Sequence, residues 1–101
     1  MAILHLNSEN FKEAVTSNEV IVVDFWAAWC GPCRMLGEVL EEINRTNPEL
    51  VIGKVNVDEE RGLAQEFQIR SIPQIFVFKN GKIVKNISGY VPANTILEAV
   101  K

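Results

Sequence analysis

Val20-Ile21-Val22-Val23-Asp24-Phe25-Trp26-Ala27-Ala28-Trp29-Cys30-Gly31-Pro32-Cys33 joins an apolar run to the only two cysteines of the chain. Val20 to Trp26 is β-branched and almost wholly apolar, which reads as a central strand covered on both faces. Beyond the cysteines, Leu36, Val39, Leu40 and Ile43 recur at helical spacing, and Glu38, Glu41, Glu42 and Arg45 take the wet face. The cysteines therefore stand where a strand ends and a helix begins. Two thiols three positions apart on a helical turn can approach closely enough for a disulfide. The first lies at the helix N-terminus, where unpaired N–H groups and the macrodipole favour an anion and lower the thiol pKa. Pro32 lacks an N–H and fixes φ, which suits a first turn. Gly31 leaves room for the backbone of a partner. The segment proposes thiol–disulfide exchange.

Working outward, Ile3 to Leu6 is a short strand, and Asn7 and Ser8 offer cap oxygens to a helix carrying Phe11, Ala14 and Val15. The helix after Cys30 runs to about Thr46 and stops at Asn47-Pro48. Leu50 to Val57 alternates as a third strand, and Asp58-Glu59-Glu60 leads to a short helix with Leu63, Ala64 and Phe67. Gln74 to Lys79 and Lys82 to Ser88 are strands joined by Asn80-Gly81, a pair suited to a type I′ hairpin turn. Pro92 opens a last helix with Ile96, Leu97 and Val100 inward. The order β-α-β-α-β-α-β-β-α predicts an α/β fold: early strands parallel through helical crossovers, plus an antiparallel edge from the late hairpin.

The 101 residues, 48% hydrophobic and 23% charged, suffice for one domain over 1–101 with a single core and no disulfide staples. A net charge of −3 and the absence of any basic run speak against nucleic acid and membrane surfaces as partners. No apolar stretch has the length of a membrane span, and Met1 to Asn10 lacks the pattern of a secretory signal. Cysteine usage of this kind suits a reducing compartment, so the expected location is the cytoplasm.

Other uses of the cysteine pair fit less well. Zinc would want a full tetrahedral ligand set, yet there is no second C-x-x-C and the sole histidine, His5, lies far off in sequence. Haem attachment would need a histidine where Arg34 stands. A structural disulfide closing so small a ring would constrain the unfolded chain little. No metal site is expected. Asp24 is the one charge in its strand, and burial would raise its pKa. Of the two tryptophans, Trp26 reads as core and Trp29 as surface.

Trp-Cys-Gly-Pro-Cys, with Asp24-Phe25-Trp26-Ala27 before it, Lys54-Val55-Asn56-Val57-Asp58, Arg70-Ser71-Ile72-Pro73, Phe78-Lys79-Asn80-Gly81 and Gly89 in order behind, resembles the thioredoxin family over essentially the whole chain. The resemblance implies a three-layer α/β/α sandwich with four helices and a mixed sheet. It also implies a protein-disulfide reductase in which Cys30 attacks, Cys33 resolves, and the Cys30–Cys33 disulfide is the redox-active group with no bound cofactor. Asp24 would exchange a proton with Cys33, and Lys54 would tune Asp24. Ile72-Pro73 would be cis and face the cysteines. Trp29, Gly31, Pro32, Ile72, Pro73 and Gly89 would line a groove for an extended substrate. Implied partners are disulfide-containing proteins and a flavin-dependent thioredoxin reductase that uses NADPH, with the protein itself a monomer. An oxidase or isomerase, or a binding module using the same groove, are the competing readings.

Four positions depart from the pattern of the family. Glu38, after Gly37, stands where a helix-kinking proline is usual, and Gln68 replaces a common glycine. Gln74 stands for a small hydroxyl residue and Tyr90 for a small one. None touches the sulfur chemistry, but Gln74 and Tyr90 border the groove.

Overall fold

A computed structural model describes residues 2–101. Its elements, in chain order, are β1 (Leu4–His5), α1 (Phe11–Ser17), β2 (Val20–Trp26), α2 (Gly31–Thr46), β3 (Val51–Asn56), α3 (Arg61–Glu66), β4 (Gln74–Lys79), β5 (Lys82–Ser88) and α4 (Ala93–Ala99). The five strands form one open sheet in the order β1-β3-β2-β4-β5. β3 lies parallel to both β1 and β2. β4 runs antiparallel to β2 as well as to β5, so the change of direction falls beside the central strand and not only at the hairpin edge.

Strand alternation divides the apolar residues of the sheet between two helical layers. Val23, Phe25, Phe76 and Phe78 pack with Phe11, Val15 and Leu63 of α1 and α3. On the other face, Val22, Ile52, Ile75 and Val77 pack with Leu36, Leu40, Ile43 and Ile96 of α2 and α4. The result is a three-layer sandwich with β2 sealed on both sides, as the apolar run from Val20 requires. Phe67 caps the first layer, its ring 5.2 Å from that of Phe11 and 5.7 Å from that of Phe25.

Several boundaries differ from the sequence expectation. β1 is only Leu4–His5, both exposed, while Leu6 turns inward and is buried. α1 begins at Phe11, with Asn10 at the N-cap making no side-chain capping bond. Asn7 instead closes a turn ahead of the helix, its side-chain oxygen accepting from the N–H groups of Glu9 and Asn10. The ends of β3 and of the last helix each draw in by a residue, within the usual uncertainty of an element boundary.

The hairpin turn is as expected, with φ of 52° at Asn80 and 81° at Gly81. α2 runs unbroken from Gly31 to Thr46. Gln68, at φ 53°, occupies the left-handed position after α3. Around it, Ile69 N–H donates to Ala64 O and Gln68 N–H to Gln65 O, the bond pair of a Schellman cap that ordinarily takes glycine.

Candidate active site

Cys30 is the N-cap of α2, in extended conformation, and its sulfur accepts from the N–H of Cys33 at 3.2 Å. This is ordinary capping geometry with sulfur in place of a hydroxyl oxygen. A thiolate accepts such a bond better than a thiol does, so the contact and the helix dipole both favour the ionised form. The two cysteines are disulfide-bonded, with Cα atoms 5.2 Å apart. Cys33 faces inward at 1% exposure, whereas Cys30 sits at the rim at 5%. They form a small apolar cluster with Ala27, flanked by Trp26, Val57 and Ile72. Among the described residues, no three His, Cys, Asp or Glu side chains gather to hold a metal ion.

The loop carrying Trp29 is tied from two sides. The Trp29 indole donates to the Asp58 carboxylate at 2.9 Å, and the Arg34 guanidinium donates to Ala28 O at 3.0 Å. Trp29 stays 70% exposed, at the surface as its sequence reading expects. Sequence reading missed both ties. Asp58 follows β3 at the sheet end where the parallel partner β2 also finishes, and that adjacency was the available signal.

Ile72-Pro73 is cis, and Ile72 O lies 3.9 Å from Cys30 Sγ. Gly89 N–H donates to Pro73 O at 2.9 Å, so Ile72, Pro73 and Gly89 meet on the cysteine side of the sheet. Gly89 has a φ of 83°, a conformation that a side chain would strain. Gly31 and Pro32 occupy the first turn of α2 beside Cys30. Tyr90 is 48% exposed next to Gly89. Two clefts of about 690 and 740 Å³ elsewhere on the molecule contain neither cysteine.

Asp24 is fully buried, and neither carboxylate oxygen has a hydrogen-bond partner. Two residues from Val22 on the same strand, it points to the face that α2 covers. Burial pushes its pKa up from 3.8 to about 7, opposed by the charge of Lys54. Lys54 is its register partner on β3. The Lys54 ammonium lies 4.5 Å over the Trp26 ring. There it also comes close to Gly37 of α2, where an added Cβ would sit 3.5 Å from it. Trp26, expected in the core, is instead half-buried, with the lysine over its face. His5, on the outer strand, is exposed.

A family model described as thioredoxin matches residues 2–101. The thioredoxin of Alicyclobacillus acidocaldarius is 45% identical over 92 residues, spanning 90% of this chain and 88% of that protein. Thioredoxin 2 of Chlorobaculum tepidum is 47% identical over 90 residues, spanning 87% and 83%. Among solved structures, a thioredoxin of Plasmodium falciparum superimposes with a TM-score of 0.87 at 30% identity, covering 97% of this chain and 96% of that one.

Proposed function

The chain belongs to the thioredoxin family and its Cys30–Cys33 pair is the redox-active site of a protein-disulfide reductase; on that premise we propose how the labour is divided among its residues. Cys30 is the nucleophile and Cys33 the resolving thiol. The observation that carries this division is the capping bond from Cys33 N–H to Cys30 Sγ, which stabilises negative charge on the outer sulfur only.

In the reduced protein, the Cys30 thiolate attacks one sulfur of a substrate disulfide. A Cys30–substrate S–S bond forms, the substrate S–S bond breaks, and the departing thiolate takes a proton. Cys33 then loses its proton, attacks Cys30 Sγ and releases the second substrate thiol. Two electrons have passed to the substrate, and the Cys30–Cys33 disulfide remains. Asp24 is the proton acceptor for Cys33. A carboxyl with pKa near 7 changes charge at neutral pH, as a group handling one proton per turnover should. Lys54 positions and tunes Asp24, since its charge limits the rise that burial imposes.

An extended segment of substrate lies along the Ile72 backbone, between Trp29, Gly31 and Pro32 on one side and Pro73 and Gly89 on the other. The closeness of Ile72 O to Cys30 Sγ supports this pose. An NADPH-dependent thioredoxin reductase returns two electrons to the disulfide. We assign the protein to the cytoplasm, because both cysteines are committed to the redox pair and none is left for structural staples, and we propose that it acts as a monomer.

The test is insulin reduction coupled to NADPH through a thioredoxin reductase. Wild type is expected to turn over, Cys30→Ser to be inert, and Cys33→Ser to accumulate a mixed disulfide visible by mass spectrometry. Wild-type-like turnover of Cys33→Ser refutes the division of labour, and failure of the wild type refutes the reading as a whole.

A further inference from the structure

One residue beyond the groove lies a buried amide that the exchange chemistry does not use. Besides Asp24, Gln74 is the only buried polar side chain among the described residues, at 8% exposure. All of its side-chain hydrogen bonds go to β5. The amide nitrogen donates to the Asn86 side-chain oxygen and, at 3.3 Å, to Ile87 O. The amide oxygen accepts from Ser88 Oγ at 3.0 Å. The register explains the reach, because Gln74 pairs with Ser88 and Phe76 with Asn86, which puts the three polar side chains on one face of the hairpin.

β5 is the sheet edge, exposed along most of its length and paired on one side only. Such a strand opens locally more readily than a central one. Its end leads directly into Gly89 and Tyr90, and Gly89 N–H is bonded to Pro73 O. A buried amide is destabilised if any of its partners moves away, so the three bonds oppose opening at this point.

We infer that Gln74 is a positioning residue for polypeptide substrates: by holding Asn86, Ile87 and Ser88 to β4, it fixes the Gly89–Tyr90 wall against Ile72-Pro73. The inference rests on the proposed role of Ile72, Pro73 and Gly89 as walls of the groove, which Tyr90 adjoins. A polypeptide laid along Ile72 meets both walls, whereas a small disulfide needs only the two cysteines. A loosened wall must be ordered on binding, which weakens saturation without altering the sulfur chemistry.

The experiment mixes pre-reduced protein with rising concentrations of insulin or, separately, of bis(2-hydroxyethyl) disulfide. Gln74→Met keeps the length of the side chain and removes its amide. The half-saturating insulin concentration is expected to rise about fivefold, with the maximal rate held within about twofold. The rate with the small disulfide and the Cys30–Cys33 midpoint potential are expected to stay at wild-type values. Ser88→Ala, on the exposed strand, should give a smaller shift of the same kind and be non-additive with Gln74→Met. Hydrogen exchange at Ser88, Gly89 and Tyr90 should quicken in both. If Gln74→Met does not fold, Ser88→Ala and Asn86→Ala carry the test. Unchanged insulin saturation, or equal losses toward both disulfides, overturns the inference. A wild type that reduces neither disulfide overturns the proposed function beneath it. A wild type that reduces insulin no better than its variants overturns this inference alone.

Discussion

Replacing Asp24 with Asn should change not only the stability of the oxidised protein but its dependence on pH. Asp24 titrates near 3.8 when unfolded and at about 7 when buried in the fold. Between those values the folded state holds a proton that the unfolded state has released, so wild-type stability falls as pH rises. The contribution is whole below pH 3.8 and gone once pH passes about 7. At about 1.36 kcal/mol for each tenfold in proton affinity, the loss is on the order of 4 kcal/mol. Asn cannot ionise and lacks this slope. Its buried amide adds a cost that does not vary with pH, so the informative quantity is the difference between variant and wild type across the range. Urea unfolding of both oxidised proteins from pH 4 to 9 measures it, because the other titrating groups cancel. The variant should gain on wild type by several kcal/mol through pH 4 to 7 and hold level above. A flat difference would refute the reasoning, since Asp24 would then have the same proton affinity folded and unfolded.

The same residue should leave a kinetic trace. In its proposed role as proton acceptor Asp24 acts ionised, so the ratio of wild-type to Asp24→Asn turnover should climb as pH rises through about 7, measured with insulin and excess reductase. Gln68→Gly relieves the left-handed cap after α3 and should stabilise the fold by about 0.5–1 kcal/mol in thermal unfolding, the steric gain exceeding the entropy of glycine. Gly53→Ala would place a Cβ 2.6 Å from Cδ1 of the buried Leu6. The shift that this forces should cost about 1–3 kcal/mol, read by the urea midpoint. Asp58→Ala frees the Trp29 indole; Trp29 fluorescence should shift and insulin saturation weaken about threefold, while Cys30 reactivity to a small disulfide holds.

Much of the site was legible because it is local. The cysteine spacing, the strand before it and the helical stripe after it placed Cys30 at the helix start, and Asn80-Gly81 marked its turn through backbone sterics alone. Asp24 stood out because a charge within a run such as Val20 to Trp26 has few places to go. Pairings across the sheet were less legible. That β4 would lie against β2 in antiparallel sense depends on which sheet edge the chain reaches after α3, and no short-range pattern records that choice. The surroundings of Trp26 are illegible for a related reason: its neighbour Lys54 lies far along the chain and reaches it only through the β2–β3 register.

By itself, then, the sequence determined the elements, the helix-capping thiol and the isolated carboxylate, since these follow from residue type and short-range periodicity. The tertiary structure decided what stands opposite them. Ile72 meets Cys30, Lys54 covers Trp26 beside Asp24, and Asp58 holds Trp29. Gln74 reaches across to β5. Each of these contacts joins residues from separate segments of the chain, and only the register and layering of the packed sheet bring such groups together.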